Sequence, residues 1–380
     1  MQPDLSALET IMQEAVPQIC PATQLVVYWH GATLYERAYG WLDPTTRRQP
    51  TQPDTLFDLA SVTKLFVVTA FLRLVEAGAT ALDQPLAGAL PAFRGARPIQ
   101  PYEDPQQSGA LISLEPAALE VDVGRITFRQ VLTHTAGLPA WRPLFRAPTP
   151  AAARRMALAT ACACRPGTQI VYSDIGLILL GLAIERLAGD ALDRVVARQV
   201  TQPLNLRHTC YRPMRAMDRP TPAVAPTEIC RWRSRRIQGE VHDENAAGLG
   251  GVAGHAGLFS TAADVARFGQ MLLDGGAPLL SAATVAEMTR LQATDGPTHR
   301  GLGVALWSPD PAASSHPLSR RAFGHTGFTG TSLWIDPQRS LVVVLLTNEV
   351  YHGRMGRGIG ALRMAVHRAI VQAIDRAATL

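Results

Sequence analysis

The sequence predicts an α/β protein of the α+β type: an antiparallel sheet flanked by helices, with a mostly helical region inserted between its strands. Three observations carry this. Strand-like runs stand near both ends of the chain, at residues 24–39 and 302–347. Helical spacing of apolar residues dominates the stretch between them. The C-terminal strands are separated by turn signals, and the simplest packing pairs them with the N-terminal hairpin in one sheet. The 380 residues are expected to form a single unit, in which 1–78 and 296–380 build the sheet part and 79–295 the helical insert.

Each element has its own signal. Residues 5–16 space their apolar side chains as a helix does. Residues 24–30 and 32–39, joined at Gly31, read as a hairpin. Residues 55–60 are strand-like and lead into Ser61. The helix after it, 62–76, has Leu65, Val68, Leu72 and Val75 as its apolar face and stops at Gly78. The stretch 91–124 contains Pro and Gln with little periodicity and reads as a surface insertion. Residues 127–133 form a short helix, closed by a tight turn at 134–139. Residues 175–188 read as a strongly apolar, buried helix, 190–199 as a more mixed one, and 213–239 as irregular. Helices follow at 261–273 and 281–291, the first capped by Ser260 or Thr261. Strands are expected at 302–307, 321–324, 331–335 and 341–347, with turns at 309–311 and 336–337. A last helix runs from about 358 to 377.

Composition narrows the function classes. A hydrophobic content of 47% with 18% charged residues describes a globular protein with a sizeable core. The net charge of +5 is too modest for a nucleic-acid binder, and the basic run 231–236 reads as a solvated loop. Five cysteines, an odd number without a CxxC spacing, suit neither a disulfide framework nor a zinc knuckle and are expected as reduced thiols. No basic-then-apolar leader is recognised at the start and no apolar run reaches membrane length, so a cytoplasmic location without membrane partner is expected. Oligomeric state is not legible.

The chemistry begins at Lys64. It is the one lysine in the chain; the other 35 of the 36 basic residues are arginine. An arginine keeps its proton inside a protein, whereas a lysine can release it. Lys64 follows Ser61 by three residues, one helical turn, so the two side chains share a face. An amine beside a hydroxyl at a helix start is a nucleophile-activating pair, and the unpaired N–H groups there suit an oxyanion. Three more segments join it: Thr133-His134-Thr135-Ala136-Gly137-Leu138-Pro139, Pro166-Gly167 followed by Tyr172-Ser173-Asp174, and Gly324-His325-Thr326-Gly327-Phe328-Thr329-Gly330 before Thr331-Ser332-Leu333-Trp334-Ile335-Asp336-Pro337.

In this order the four motifs resemble the serine β-lactamase and penicillin-binding-protein-like hydrolase superfamily, closest to class C enzymes and their related esterases. The resemblance covers about residues 20–350. It implies the β-lactamase/transpeptidase-like fold and a serine hydrolase acting through an acyl-enzyme on a small ester, amide or lactam, without cofactor. Ser61 would be the nucleophile, and Lys64, partly neutral, would take or relay its proton. Tyr172 would be general base or acid, and the N–H groups of Ser61 and Phe328 the oxyanion hole. Asp174 would hold Lys64 or bind substrate, with His325, Thr326 and Gly327 lining the substrate site. Two positions depart from the family pattern. Asp174 stands where Asn is usual; a carboxylate beside Lys64 is expected to raise the pKa of the amine, which opposes a base role and shifts the load to Tyr172. His325, at most partly charged at neutral pH, stands where lactamases place a lysine for a substrate carboxylate, which favours an esterase or amidase over a true lactamase. His134 is expected to cap its own turn. The loop carrying His242, Asp243, Glu244 and His255 is expected to line the cleft; its spacing is not a zincin pattern, so no metal is expected. A lactamase, a D-amino-acid peptidase, or an inactive binding protein on the same fold are the alternatives.

Overall fold

The computed structural model describes residues 3–105, 107, 109–116, 119–216 and 222–379. Its centre is an eight-stranded antiparallel sheet in the order Ala293–Asp295, Thr298–Arg300, Ala305–Leu306, Phe323–Thr326, Ser332–Asp336, Leu341–Thr347, Ala22–Trp29, Ala32–Gly40. The N-terminal hairpin therefore closes on the last C-terminal strand, in register from Thr23 against Thr347 to Trp29 against Leu341. Its turn places His30 and Gly31 at φ of 51° and 75°, the left-handed pair that a tight two-residue hairpin turn requires.

Leu341–Thr347 is buried along its whole length because both faces of the sheet are covered. Successive side chains point to opposite faces. Leu341, Val343 and Leu345 join Leu25 and Val27 against the terminal helices Ser6–Ala15 and Ile359–Thr379. Val342, Val344 and Leu346 face the main core with Leu333 and Ile335. On that side the helix Ala262–Leu273 lies so close that a Cβ on Gly269 would come within 2.7 Å of Val342 and 2.8 Å of Leu333. A helix numbered within 79–295 thus covers the sheet itself.

Behind it runs Thr63–Glu76, buried from Thr63 through Leu72. The expected one-sided apolar stripe is in fact buried on all sides, as befits a helix at the centre of a core. Phe66 stacks on Phe268 with ring centroids 4.0 Å apart, and the helix also packs on Asp174–Ala188. The site described below hangs on the N-terminal ends of these two helices.

The structure differs from expectation in the short elements. The 91–124 stretch folds into two small ribbons, Ala96–Pro98 with Glu120–Asp122 and Tyr102–Glu103 with Leu111–Ile112; residues 106, 108, 117 and 118 lie outside the description. The irregular 213–239 stretch, of which 217–221 lie outside it too, carries the hairpin Ile229–Cys230 with Arg235–Arg236. The expected strand 302–307 is reduced to Ala305–Leu306 because Gly303, at φ 69°, breaks it. Among the described residues no helix is long and apolar enough to cross a membrane, and the five cysteines are free.

Candidate active site

The strand Phe57–Asp58 pairs with Leu258–Ser260 and passes through the 3-10 turn Ala60–Val62 into the Thr63–Glu76 helix. Ala60 is held at φ 45°, a conformation that residues with a Cβ keep only where their surroundings impose it. The imposing contacts are explicit. Ala60 N donates to Asp58 Oδ1 at 2.9 Å, and His242 N donates to Asp58 Oδ2 at 2.6 Å. Thr329 and Thr331 donate their hydroxyls to the carbonyls of Asp58 and Leu59 at 2.7 and 2.9 Å. Burial raises the pKa of Asp58, with those N–H bonds acting against it. Ser61 is not the cap of the helix: the capping position is Val62, without a side-chain bond. Instead Ser61 Oγ accepts a hydrogen bond from Lys64 Nζ at 2.7 Å.

Lys64 is 1% exposed. Its ammonium also meets Asp174 Oδ1 at 2.8 Å and donates to the His255 carbonyl at 3.1 Å. Burial alone would lower its pKa, but attraction to Asp174 and Tyr172 outweighs it and holds the amine above its ordinary value. The amine is therefore an ammonium at neutral pH, the direction expected of a carboxylate at position 174, and this opposes a base role for Lys64. The Tyr172 ring centroid lies 4.9 Å from Lys64 Nζ and 5.3 Å from the Arg300 guanidinium. His134 packs against it, with centroids 4.6 Å apart. Rather than capping its own turn, His134 accepts from Ser173 N through Nδ1 at 3.0 Å. Burial foremost, then Arg300 and Lys64, hold its imidazole neutral. Ser173 in turn caps the Asp174–Ala188 helix through Gly176 N at 3.1 Å and donates to the Pro139 carbonyl at 2.6 Å. One imidazole thus pins the segment that presents both Tyr172 and Asp174.

The opposite wall is the edge of strand Phe323–Thr326. His325 is buried, and its Nδ1 donates to the Thr326 carbonyl at 2.7 Å. Burial, then Lys64 and Arg300, push its pKa down to about 3, so it is neutral at physiological pH. Gly327 approaches the Leu59–Ala60 segment before Ser61 as only glycine can: a Cβ there would lie 2.1 Å from Thr331 Oγ1 and 2.5 Å from the Leu59 carbonyl. Phe328, half exposed, stacks on His242 at 5.7 Å. His242 Nε2 meets Glu228 Oε1 at 2.9 Å, and His255 Nε2 meets Asp243 Oδ1 at 2.8 Å. Burial would raise the Asp243 pKa, but His255 outweighs it and the carboxyl sits well below its usual range. The cleft so formed has a volume of about 620 Å³, and of the expected residues all but Lys64, which lies just behind the wall, line it. That is the size of a small-molecule site. Asp174, Asp243 and His255 bring one possible metal-ligand atom each within 4.8 Å of one another. The Lys64 ammonium already lies against Asp174 and the His255 carbonyl, and so supplies positive charge at that spot.

The family model described as Beta-lactamase matches residues 8–366. The chain belongs to the beta-lactamase family. Within it, the chain is 31% identical to N-acetylmuramyl-L-alanine amidase of Bacillus subtilis strain 168, over 91% of this chain and 81% of that protein. Two solved structures share the fold: EstCE1, a hydrolase with promiscuous acyltransferase activity, at TM-score 0.70 and 23% identity, covering 95% of this chain and 97% of the other, and a penicillin-binding protein homologue from Caulobacter crescentus at TM-score 0.72 and 20% identity, covering 97% of each. As a member of the beta-lactamase family the chain is a serine hydrolase.

Several residues of the site were missed in the sequence. Asp58 stands in the segment before Ser61 and shapes it, yet a lone Asp there carries no pattern. Arg300 ends a three-residue strand too short to show periodicity, and reaches the cleft only because that strand joins the sheet edge. Its Nε is buried without a partner, and among the described residues it forms no ion pair. Arg363 and Glu228 come from segments far from every motif.

Proposed function

We propose that Ser61 attacks the carbonyl of an ester or amide and is acylated. The observation that carries this reading is the 2.7 Å contact between Ser61 Oγ and Lys64 Nζ at the base of a cleft bordered by Tyr172 and Gly327. Because Lys64 is an ammonium, the base is assigned to Tyr172, whose ring lies beside two cations. Tyr172 takes the Ser61 proton as the Oγ–carbon bond forms, then passes it to the departing alcohol or amine. Lys64 orients Oγ and stabilises the charge that develops. The N–H groups of Ser61 and Phe328 receive the oxyanion. Water, deprotonated by the same tyrosine, then attacks the acyl carbon; the bond to Ser61 Oγ breaks, Oγ takes the proton back from the tyrosine, and the acid is released. Asp174 holds the ammonium, while His325, Thr326 and Gly327 flank the substrate. A reducing, cytoplasmic setting belongs to this reading, supported by five free cysteines. In Ser61→Ala, p-nitrophenyl butyrate hydrolysis falls by about a thousandfold or more and labelling by a fluorophosphonate disappears; an unchanged rate refutes the assignment.

A second reading has its own observation. His325 leaves the strand without a fixed cation, but the unpaired Arg300 guanidinium lines the same cleft. Such a group favours an amide that carries a carboxylate, as an N-acylated amino acid does. Arg300→Ala then raises KM for that amide about tenfold or more while KM for p-nitrophenyl butyrate stays within about twofold; equal changes for both substrates reject a carboxylate site.

A further inference from the structure

The C-terminal helix Ile359–Thr379 contributes one cation to the site from behind. Arg363 is 9% exposed and reaches the cleft. Its Nη2 donates to the Gly327 carbonyl at 2.9 Å and to the Thr331 carbonyl at 2.7 Å. Its Nε is buried without a partner, and among the described residues Arg363 forms no ion pair. Burial lowers its pKa to about 10, with Glu349 acting against the fall; the group is therefore charged at neutral pH. A buried cation whose hydrogen bonds go to carbonyls, with no carboxylate in ion-pair contact, is costly to the fold, so its benefit is to be sought in the reaction.

The partner carbonyl indicates where. Gly327 C=O and Phe328 N–H are the two ends of one planar peptide group. A charged donor on the oxygen polarises that group and strengthens the N–H at its far end as a donor. It also fixes the peptide plane, and with it the direction of the N–H. The same oxygen accepts from Gly330 N at 3.1 Å, and Gly327 N donates to Thr331 O at 2.7 Å, so the guanidinium closes a turn whose other bonds are neutral. We propose that Arg363 is the positioning residue of the oxyanion hole: it orients and polarises the Gly327–Phe328 peptide, and its charge acts on the oxyanion through that peptide. The proposal rests on the reading that the Phe328 N–H is an oxyanion donor to an adduct on Ser61.

The test uses Arg363→Met and Arg363→Lys beside Ser61→Ala, with p-nitrophenyl butyrate as substrate and phenylboronic acid as the probe of tetrahedral geometry. Removing an oxyanion-hole donor outright lowers kcat by about 10²–10³; weakening one from behind is expected to lower kcat in Arg363→Met by about tenfold to a hundredfold, with KM within about twofold. Phenylboronic acid affinity falls by the same factor as kcat, which a merely structural role does not produce, and Arg363→Lys recovers part of both. Melting temperatures report whether each variant folds; if Arg363→Met does not, Arg363→Gln, which keeps a donor without charge, takes its place. A folded neutral variant with wild-type kcat and boronate affinity overturns the proposal, as does a loss confined to KM. If Ser61→Ala keeps activity, the underlying reading fails instead, and the two failures are told apart.

Discussion

At the scale of single residues, the decisive point is the charge on Lys64. Burial and a nearby carboxylate pull its pKa in opposite directions, and the 2.8 Å contact with Asp174 decides for the ammonium. Asp174→Asn removes the attraction and leaves the burial, so the pKa of Lys64 falls in the variant. If the reaction needs the ammonium, the alkaline limb of the kcat/KM profile moves to lower pH, by about one unit or more. If the neutral amine were the base, the same change would raise activity near pH 7. A pH profile of the two proteins, taken with p-nitrophenyl butyrate, separates these, and higher activity in Asp174→Asn at neutral pH contradicts the tyrosine-base reading. Ser61, Lys64, Tyr172 and Asp174 were legible because their partners lie within a turn or in ordered motifs. Arg300 and Arg363 were not: an arginine is common on any surface of this lysine-poor chain, and only the packed structure distinguishes one that reaches the cleft without an ion pair.

At the scale of elements, the same contrast has a physical basis. The long elements were readable because burial on one or both faces imposes periodicity over many residues, as along Leu341–Thr347 and Asp174–Ala188. The strands Ala293–Asp295 and Thr298–Arg300 are three residues each, shorter than one period of any pattern can establish, and they form because the neighbouring strand offers an open edge. Helix Pro150–Leu158 was overlooked although its start is written in the sequence, with Thr149 accepting from Ala152 N and proline in the first turn; its apolar content is too low to announce it. The segment before Ser61 shows the opposite limit. Its extended character is legible, but the left-handed Ala60 is imposed from two distant segments, through His242 bound to Asp58 and through Thr329 and Thr331 in the turn after strand Phe323–Thr326. Local propensity cannot foresee a conformation that tertiary contacts enforce.

At the scale of the whole molecule, the cleft is where the sheet edge, the central helices and loops distant in sequence converge, and Glu228 is one of the ties that hold them. It is 7% exposed and joins three segments: His242 Nε2 at 2.9 Å, Arg354 Nε at 2.7 Å, and through Arg354 the Glu244 carboxylate. Burial would raise its pKa, but the bonds to His242 and Arg354 outweigh it and push it down to about 2 from the ordinary 4.5. A carboxyl whose pKa is lower in the folded than in the unfolded chain stabilises the fold above the unfolded value and loses that contribution as pH falls toward the folded one. The stabilisation by Glu228 is therefore complete above about pH 4.5 and fades toward about 2. Glu228→Gln cannot titrate: it is less stable than the parent near pH 7, and the gap narrows as the solution is acidified. Asp243 is held low by His255 in both proteins, so both lose stability in acid, and the difference between them isolates Glu228. Urea midpoints at about pH 7, 5 and 3 measure it. A gap that stays constant across that range means that the carboxylate is not ionised against its two partners, and that some other contact joins the Arg354 segment to the wall beneath Phe328.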